Sequence, residues 1–590
     1  MWLTKPDSRT IATGKSQPHN LSCKEISVIR SSCYGLRIPL ALVLCSHFAW
    51  ADSLTTAPAD SSALAAMKKQ AVSDVESHAK LAQVMVDTVF SYAELGYHEV
   101  HSSAYLSGVL EQNGFKVERG IAGIPTAFMA TWGSGKPVIA LGSDVDCIPQ
   151  ASQKPGVAYH DPIVAGAPGH GEGHNSGVPL QILAAIAVKD IMQKNHLPGT
   201  IKLWPGIAEE LLGGKAYYVR AGYFKNVDAV LFAHVANNLG VSYGGFTTLG
   251  AVSVRYDFLG ESSHASVAPW KGRSALSAVE LMDVGWSFKR QFLRPVQRSH
   301  NVIVNGGDQP NVVPSTASDW YYFREIDYAR VRELVDLGEK MAQGAALMSG
   351  TSYSSTVLGS AWPGWMNKPI AEAEYRNVQA VGLPTWSAAD IALAKGIQHE
   401  LKVPEIGLET AVNPLNGGGT EQTFAGGPSD DIGDVSWNVP TIVLWYPSNI
   451  PNLPGHNWAN AISMATPIAH KGVIAGAKVQ AMTLLDLFTT PELITAAWDY
   501  FNNVQTKDQK YVPFIRPEDH PHLELNAGIM DKYNPQLAKF YYDASKYPTY
   551  LDQLGIKYPT LRTSPPASAA VEPADSADMN DVVAAASGNE

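Results

Sequence analysis

Between residues 138 and 234 the chain runs three times from an apolar stretch into acidic residues or a histidine. Residues 138–146, Val-Ile-Ala-Leu-Gly-Ser-Asp-Val-Asp, end on Asp144 and Asp146. Residues 200–205 lead through Gly206-Ile207-Ala208 into Glu209-Glu210, and residues 229–233 end on His234. Apolar runs of this kind, alternating with helical stretches, predict a mainly parallel sheet covered on both faces. Ligands of such a sheet gather where the strands run out, and there the polar residues fall. The loop Gly169-His170-Gly171-Glu172-Gly173-His174-Asn175-Ser176-Gly177 lies between the first two runs. The apolar stretch after it predicts a buried helix over 178–194. Ser176 is placed to cap that helix by accepting a backbone N–H. Gly171 and Gly173 would let the loop turn sharply enough to aim Glu172 and His174 inward.

The 590 residues suffice for several domains, and their formal charge of −11 argues against a general nucleic-acid binder. No apolar run approaches the roughly 18 residues a membrane span needs. Residues 38–45 are a short apolar core, and Ala49-Trp50-Ala51 follows as a cleavage signature. Residues 1–51 are therefore expected to be a secretory signal with a long polar leader, giving an exported chain that begins at Asp52. A later initiation site would give a signal peptide of ordinary length. Cleavage would remove six basic and two acidic residues and leave 38 and 53, a net charge of −15. It would also remove Cys23, Cys33 and Cys45, leaving Cys147 and no internal disulfide.

The remaining organisation follows from composition and period. Residues 52–65 read as a linker, and helical periodicity runs from about 66 to 95. A first catalytic segment covers 66–246. From 247 the pattern changes: 252–259 alternates, 274–293 is helical, 302–304 and 318–324 read as strands, and 329–347 is helical. This predicts an α+β insertion over 247–355. The larger domain resumes over 356–490, with a strand at 441–445 and a helix at 467–487. Residues 491–562, rich in Tyr and Pro, read as an ordered extension, and 563–590 as a disordered tail.

Asp144, Asp146, Glu172, His174, Glu209, Glu210, His234 and the later His456 make one candidate set. Two divalent ions held close together need several carboxylates and imidazoles, with room for water. A neighbouring carboxylate must take a proton from that water, and the pair Glu209-Glu210 can supply one ligand and one base.

The ordered motifs Gly-His-Gly-x-Gly-His-Asn, Glu209-Glu210, Phe232-Ala233-His234, Ser263-His264-Ala265, Pro310-Asn311-Val312-Val313-Pro314, Gly433-Asp434-Val435-Ser436-Trp437 and Ile468-Ala469-His470-Lys471-Gly472 resemble an amidohydrolase branch of the aminoacylase/carboxypeptidase-type dinuclear metallopeptidases. The resemblance covers about residues 66–490. It implies an α/β fold: a phosphorylase/hydrolase-like catalytic domain with an inserted ferredoxin-like α+β lid that also makes a homodimer. It further implies two divalent ions, Mn or Zn, held by His174, Glu210, His234 and His456, with Glu209 as general base. Relatives have cysteine where this chain has Glu172, which can still bind or bridge metals. Asp144 and Asp146 are expected to orient the ligating histidines.

By the same resemblance His264 reaches a neighbouring subunit's site and polarises the scissile carbonyl; its bland reading is a surface histidine. Asn311 and Arg273 either hold a substrate carboxylate or are turn and helix-start residues. His170 is a turn residue, an orienting partner or a ligand, His470 is structural, and Cys147 is a small buried hydrophobe. The expected activity is hydrolysis of the amide bond of an N-acyl amino acid, an aroyl-glutamate or a dipeptide. The rivals are a peptidase acting on short peptides and an inactive scaffold that keeps the fold.

Overall fold

The computed structural model describes residues 61–421, 423–424 and 426–562. The expected signal and its cleavage site, residues 52–60 and the tail over 563–590 lie outside the described residues. Eight strands form the larger sheet. They are β1 (Lys116–Arg119), β2 (Phe128–Ser134), β3 (Val138–Asp144), β4 (Gly199–Gly206), β5 (Ala229–Ala236), β6 (Gly240–Tyr243), and, far along the chain, Asn416–Gly417 and Thr441–Pro447. Four more strands lie between these groups: β7 (Gly250–Leu259), β8 (Arg298–Asn305), β9 (Thr316–Glu325) and β10 (Ser352–Ala361). The last two strands of the larger sheet are thus β11 and β12. Its order is β1-β2-β4-β3-β5-β12-β6-β11.

The four central strands β4, β3, β5 and β12 run parallel, as the continuous apolar runs predict. Buried on both faces, they are apolar without alternation. The chain passes from β3 to β4 on one side and then returns to β5 on the other. This reversal opens a crevice at the strands' carboxyl ends. The helices Gly177–Asn195 and Pro467–Thr489 pack on each other and on this sheet. Each sends one buried glutamine to strand carbonyls: Gln181 donates to Gly142 and Leu231, and Gln480 to Phe232.

Strands β7 to β10 form a separate antiparallel sheet in the order β10-β7-β9-β8. The helix Ala275–Arg290 follows β7 and the helix Tyr328–Ser349 follows β9, so the insertion has the β-α-β-β-α-β order of a ferredoxin-like unit. Alternation sets its two faces. Tyr321 and Phe323 of β9 join a core with Val279, Met282 and Trp286 of the first helix. Trp320, Tyr322 and Arg324 lie on the opposite face, beside Val302, His300 and Arg298 of β8.

Several expected boundaries move. The linker does not reach 65, because a helix starts at Ser62, where Ser61 Oγ accepts from Leu64 N at 3.2 Å and Leu64, Ala71 and Val75 share a buried face. The helical stretch over 66–95 is two helices, Ser62–Ser77 and Ala79–Tyr92, broken at His78. The insertion does not end at 355. Strand β10 pairs with β7 as far as Ala361, and a cut at 355 would sever that ladder. Ser176 is the N-cap residue, but its hydroxyl donates to Gly173 O at 2.8 Å and meets the Tyr446 hydroxyl at 2.8 Å, so it caps nothing.

The extension over 491–562 is ordered and ties the parts together. Tyr511 donates to Asp434 at 2.6 Å, the Trp362 indole donates to Val512 O at 2.8 Å, and Phe514 packs in the core of the insertion. Asp87 takes His470 at 2.7 Å on one oxygen and Tyr550 N at 3.0 Å on the other. His470 is therefore structural, as its place on an Ala-rich helix suggests. Cys147 is free and buried.

One acid in the core of the larger domain has a measurable consequence. Glu374, on the helix Lys368–Val381, is buried with neither carboxyl oxygen hydrogen-bonded. Burial pushes it up to about 8, from an ordinary 4.5. Between those values the folded chain keeps a proton that the unfolded chain gives up, so stability falls as pH rises through that window. Glu374→Gln removes this slope, and each pH step inside the window is worth about 1.4 kcal/mol. Thermal unfolding should show a larger gain for the variant at pH 8 than at pH 5; equal gains at both would contradict this account.

Candidate metal centre

Four separate stretches deliver the centre. The loop before the helix Gly177–Asn195 brings Glu172 and His174. Gly173 has φ +124°, and a Cβ there would meet the Met464 sulfur, so this position requires glycine. Gly171 has an ordinary φ and is needed for a different reason: a Cβ would come within 2.9 Å of the Asn457 carbonyl. Beyond β4, Glu209 and Glu210 stand on a short turn bracketed by Ala208 and Leu212, both in the left-handed region at φ +54° and +55°. Buried carboxylates hold this strained turn in place. Glu99 accepts from Ala208 N at 2.9 Å, and Asp146 accepts from Glu210 N at 3.1 Å. Strand β5 supplies His234, and the loop after β12 supplies His456, itself at φ +49°.

These side chains converge. Glu172 lies 3.1 Å from His456 Nε2, 3.6 Å from His174 Nε2 and 3.7 Å from His234 Nε2. Glu210 is 3.5 Å from His456. Ligand atoms of Glu172, His174, Glu209 and Glu210 all lie within 4.8 Å of one another. The His234 Nδ1–H donates to Val235 O at 3.0 Å, which leaves its Nε2 lone pair facing inward. His174 Nδ1 stands 3.5 Å from Asp146, so its Nε2 also faces inward, 3.3 Å from that of His234.

Two imidazole nitrogens turned toward each other, with the Glu210 Oε1 buried and unpartnered beside them, suit divalent cations. The acids show the same crowding. Burial, then Glu172, pushes Glu210 up; burial, then Asp430, pushes Glu209 up. Burial also opposes charge on Glu172, but His174, His456 and His234 outweigh it and hold its carboxyl well below the usual range. The donor set therefore fits the expected metal pair.

Asp146 lies where an orienting partner for His174 is expected. Asp144 does not bond a histidine. Its Oδ1 takes Lys215 Nζ at 2.6 Å, while Oδ2, without a hydrogen bond, faces His174 and His234. Lys215 is fully buried and also meets Asp431 and, at 3.2 Å, Asp430. His170 is fully buried away from the ligands and donates to Val89 O at 3.2 Å.

His264, Asn311 and Arg273 are not brought to this centre within one chain. They sit together on the insertion: Ala265 N donates to Asn311 O at 3.0 Å, His264 bridges Val312, and Arg273 bridges Glu261. None of them lines the pocket of about 170 Å³ over Glu172, Glu209 and His234. That pocket is lined instead by Tyr322, Arg324 and Asp430. The Arg324 guanidinium lies 5.4 Å from the Tyr322 ring, and its Nε has no hydrogen-bond partner.

The sequence reading missed Lys215, Asp430, Asp431, Tyr322 and Arg324. The alternation over 318–324 carried a signal for the last two, since it puts them on one face. Lys215 left a fainter one, a lone cation between Gly213-Gly214 and Ala216-Tyr217-Tyr218.

No family model matches the chain. It is 32% identical over 434 residues to a p-aminobenzoyl-glutamate hydrolase of Escherichia coli, covering 70% of this chain and 89% of that protein. It is 28% identical over 447 residues to the Xaa-Arg dipeptidase of Mus musculus, covering 74% and 93%. A structure described as an aminohydrolase from methicillin-resistant Staphylococcus aureus aligns with a TM-score of 0.51 at 17% identity, over 72% of this chain and 100% of that one, which shows a shared fold. With the motifs, the fold and this degree of identity together, the chain belongs to the family of that p-aminobenzoyl-glutamate hydrolase and is a metal-dependent amide or peptide hydrolase of the aminoacylase/carboxypeptidase type.

Proposed function

We propose that the chain hydrolyses the amide bond of an N-acyl amino acid, an aroyl-glutamate or a dipeptide, with Glu172, His174, Glu210, His234 and His456 holding two divalent ions. The observation that carries this reading is the position of Glu172. Its carboxylate stands within 3.7 Å of three imidazoles, in the place of a shared ligand. That convergence also argues against an inactive scaffold, which has no need to keep it.

A bound divalent pair supplies Lewis acidity and lowers the pKa of a water molecule. Glu209, buried and pushed up by its surroundings, is suited to take that water's proton and return it to the leaving nitrogen. Tyr322 and Arg324 cover the pocket from the side of the insertion and limit solvent there. The oxygen-rich donor set favours Mn²⁺ or Zn²⁺ over softer ions. The names of the relatives, a hydrolase of p-aminobenzoyl-glutamate and an Xaa-Arg dipeptidase, support both an aroyl-glutamate and a dipeptide as substrate classes.

The reading extends to assembly and location. Strand β8 is an edge of its sheet and exposes Val302, Ile303 and Val304, while Phe288 and Phe292 are exposed nearby in sequence. An open edge strand with apolar side chains is a template for pairing, so we propose a homodimer through the insertion. Such a dimer gives His264, Asn311 and Arg273 a route to a neighbouring subunit's site. Ala49-Trp50-Ala51 supports export. Among the described residues no helix is long and apolar enough to cross a membrane.

Glu209→Gln should lower turnover by about 10²–10⁴-fold with metal content, measured by elemental analysis, unchanged. Loss of metal with an unchanged rate per bound metal would assign the base role to Glu210 instead. Glu172→Ala should lower metal occupancy and activity together, and Glu172→Cys should restore part of both while shifting preference toward softer metals. Wild-type metal content and turnover in Glu172→Ala would reduce Glu172 to a loop residue. Light scattering at micromolar concentration should give the mass of two chains, and a fully active monomer would remove both the dimer and the role of His264.

A further inference from the structure

Glu210, Tyr322, Arg324 and His456 line two spaces at once. One is the small pocket over Glu172 and Glu209. The other is a groove of about 660 Å³ that continues from it. The charged groups of the groove are confined to this shared end. Beyond it the walls hold no carboxylate and no fixed cation, and His300, pushed down by burial and Arg324, adds no charge.

Three parts of the chain build those walls. The catalytic domain gives Ile148, the face of the inserted sheet gives Val302 and Trp320, and the C-terminal extension gives Asn526 and Ile529. The walls are fixed in place. The register sets Val302 opposite Trp320, whose indole N–H donates to Ser253 Oγ at 2.7 Å. On the far side, Asn526 donates to Gly96 O at 3.2 Å, and His98 holds Leu525 O at 2.8 Å. The Tyr217 hydroxyl anchors the approach by donating to His520 O at 2.9 Å.

We infer that this groove takes an uncharged apolar flank of the amide substrate, an aryl or branched aliphatic group, and that the Asn526–Ile529 wall of the C-terminal extension helps to select it. The inference rests on amide hydrolysis at the adjoining centre. A buried apolar flank gains by leaving water, and one that reaches Trp320 and Ile529 gains more than a methyl group can. A charged flank would lose hydration with no partner beyond the shared end. The specificity of this chain is therefore set partly by a segment outside the catalytic sheet.

Two substrate series test it on the metal-loaded full chain. One enlarges the acyl group at constant amine, from N-acetylglycine to N-benzoylglycine. The other enlarges the amine side at constant acyl group, from N-acetylglycine to N-acetylphenylalanine. In the wild type kcat/KM should rise about tenfold or more along one series, the range expected for a few buried carbons. Ile529→Asp and Trp320→Ala should each cut that rise about tenfold. Leu523→Ala, on the same extension but outside the groove, should leave it intact.

A flat response in both series overturns the inference. So does an unchanged rise in both groove variants, or an equal loss in Leu523→Ala, which would mark a general disturbance of the extension. If the wild type cleaves none of these amides, the hydrolase reading fails. Calorimetric binding of the same three compounds to the wild type and to Ile529→Asp then decides the groove alone. A preference for one large compound that Ile529→Asp lowers supports it, and no preference overturns it.

Discussion

Carboxylates from distant parts of the chain are forced together at the ends of β3 and β4, and their mutual repulsion must be answered by something. Asp144, Asp146, Glu209, Asp430 and Asp431 are all buried there. A buried charge is tolerated only when paired and hydrogen-bonded. Lys215 answers Asp144, Asp430 and Asp431 at once. Backbone N–H groups answer others: Glu210 N meets Asp146, and Gly214 N and Lys215 N meet Asp431. The oxygens left without partners, on Asp144, Asp146 and Glu210, are on the side of the histidines. Satisfied oxygens thus build the scaffold, and unsatisfied ones mark where cations belong.

The sheet explains why the crowding falls at that place. Four parallel strands bury both faces in apolar contact, so polar side chains are pushed to the strand ends. The reversal of strand order at β3 leaves room for them there. The turn at Glu209 and Glu210 carries two left-handed non-glycine residues, a local cost of the kind found where a surrounding framework dictates geometry. Here that framework is itself made of acids, Glu99 and Asp146, so the same residue type both crowds the centre and holds it open.

The insertion and the extension add a second level. Period-2 alternation in β9 gives one face to the core of the insertion and the other to the cleft, so Trp320, Tyr322 and Arg324 face the site without belonging to the catalytic sheet. The extension touches both domains, at Asp434 through Tyr511 and at Gly96 through Asn526. Chemistry and selectivity are thereby separated: the strand ends carry the reacting groups, and later segments shape what can approach them.

Much of this was legible in the chain. Apolar runs ending in Asp144, Glu209 and His234 announced parallel strands and a site at their ends, because burial on both faces and the escape of polar groups act within a few residues. The alternation near 252–259 and 318–324 announced the insertion for the same local reason. What the sequence could not supply were partnerships across long separations. Lys215 lies 71 residues from Asp144 and 216 from Asp431, so nothing near Asp144 signals that its partner is a lysine and not a histidine. The hydroxyl of Ser176 was free to cap its helix until folding brought Tyr446, 270 residues away, within reach. The end of the insertion shifted from 355 to Ala361 because β10 continues as long as β7 offers it hydrogen bonds. Local patterning determined which side chains meet at the strand ends; only the packed chain decided which charges neutralise one another, since Coulomb and hydrogen-bond partners are chosen by distance in space.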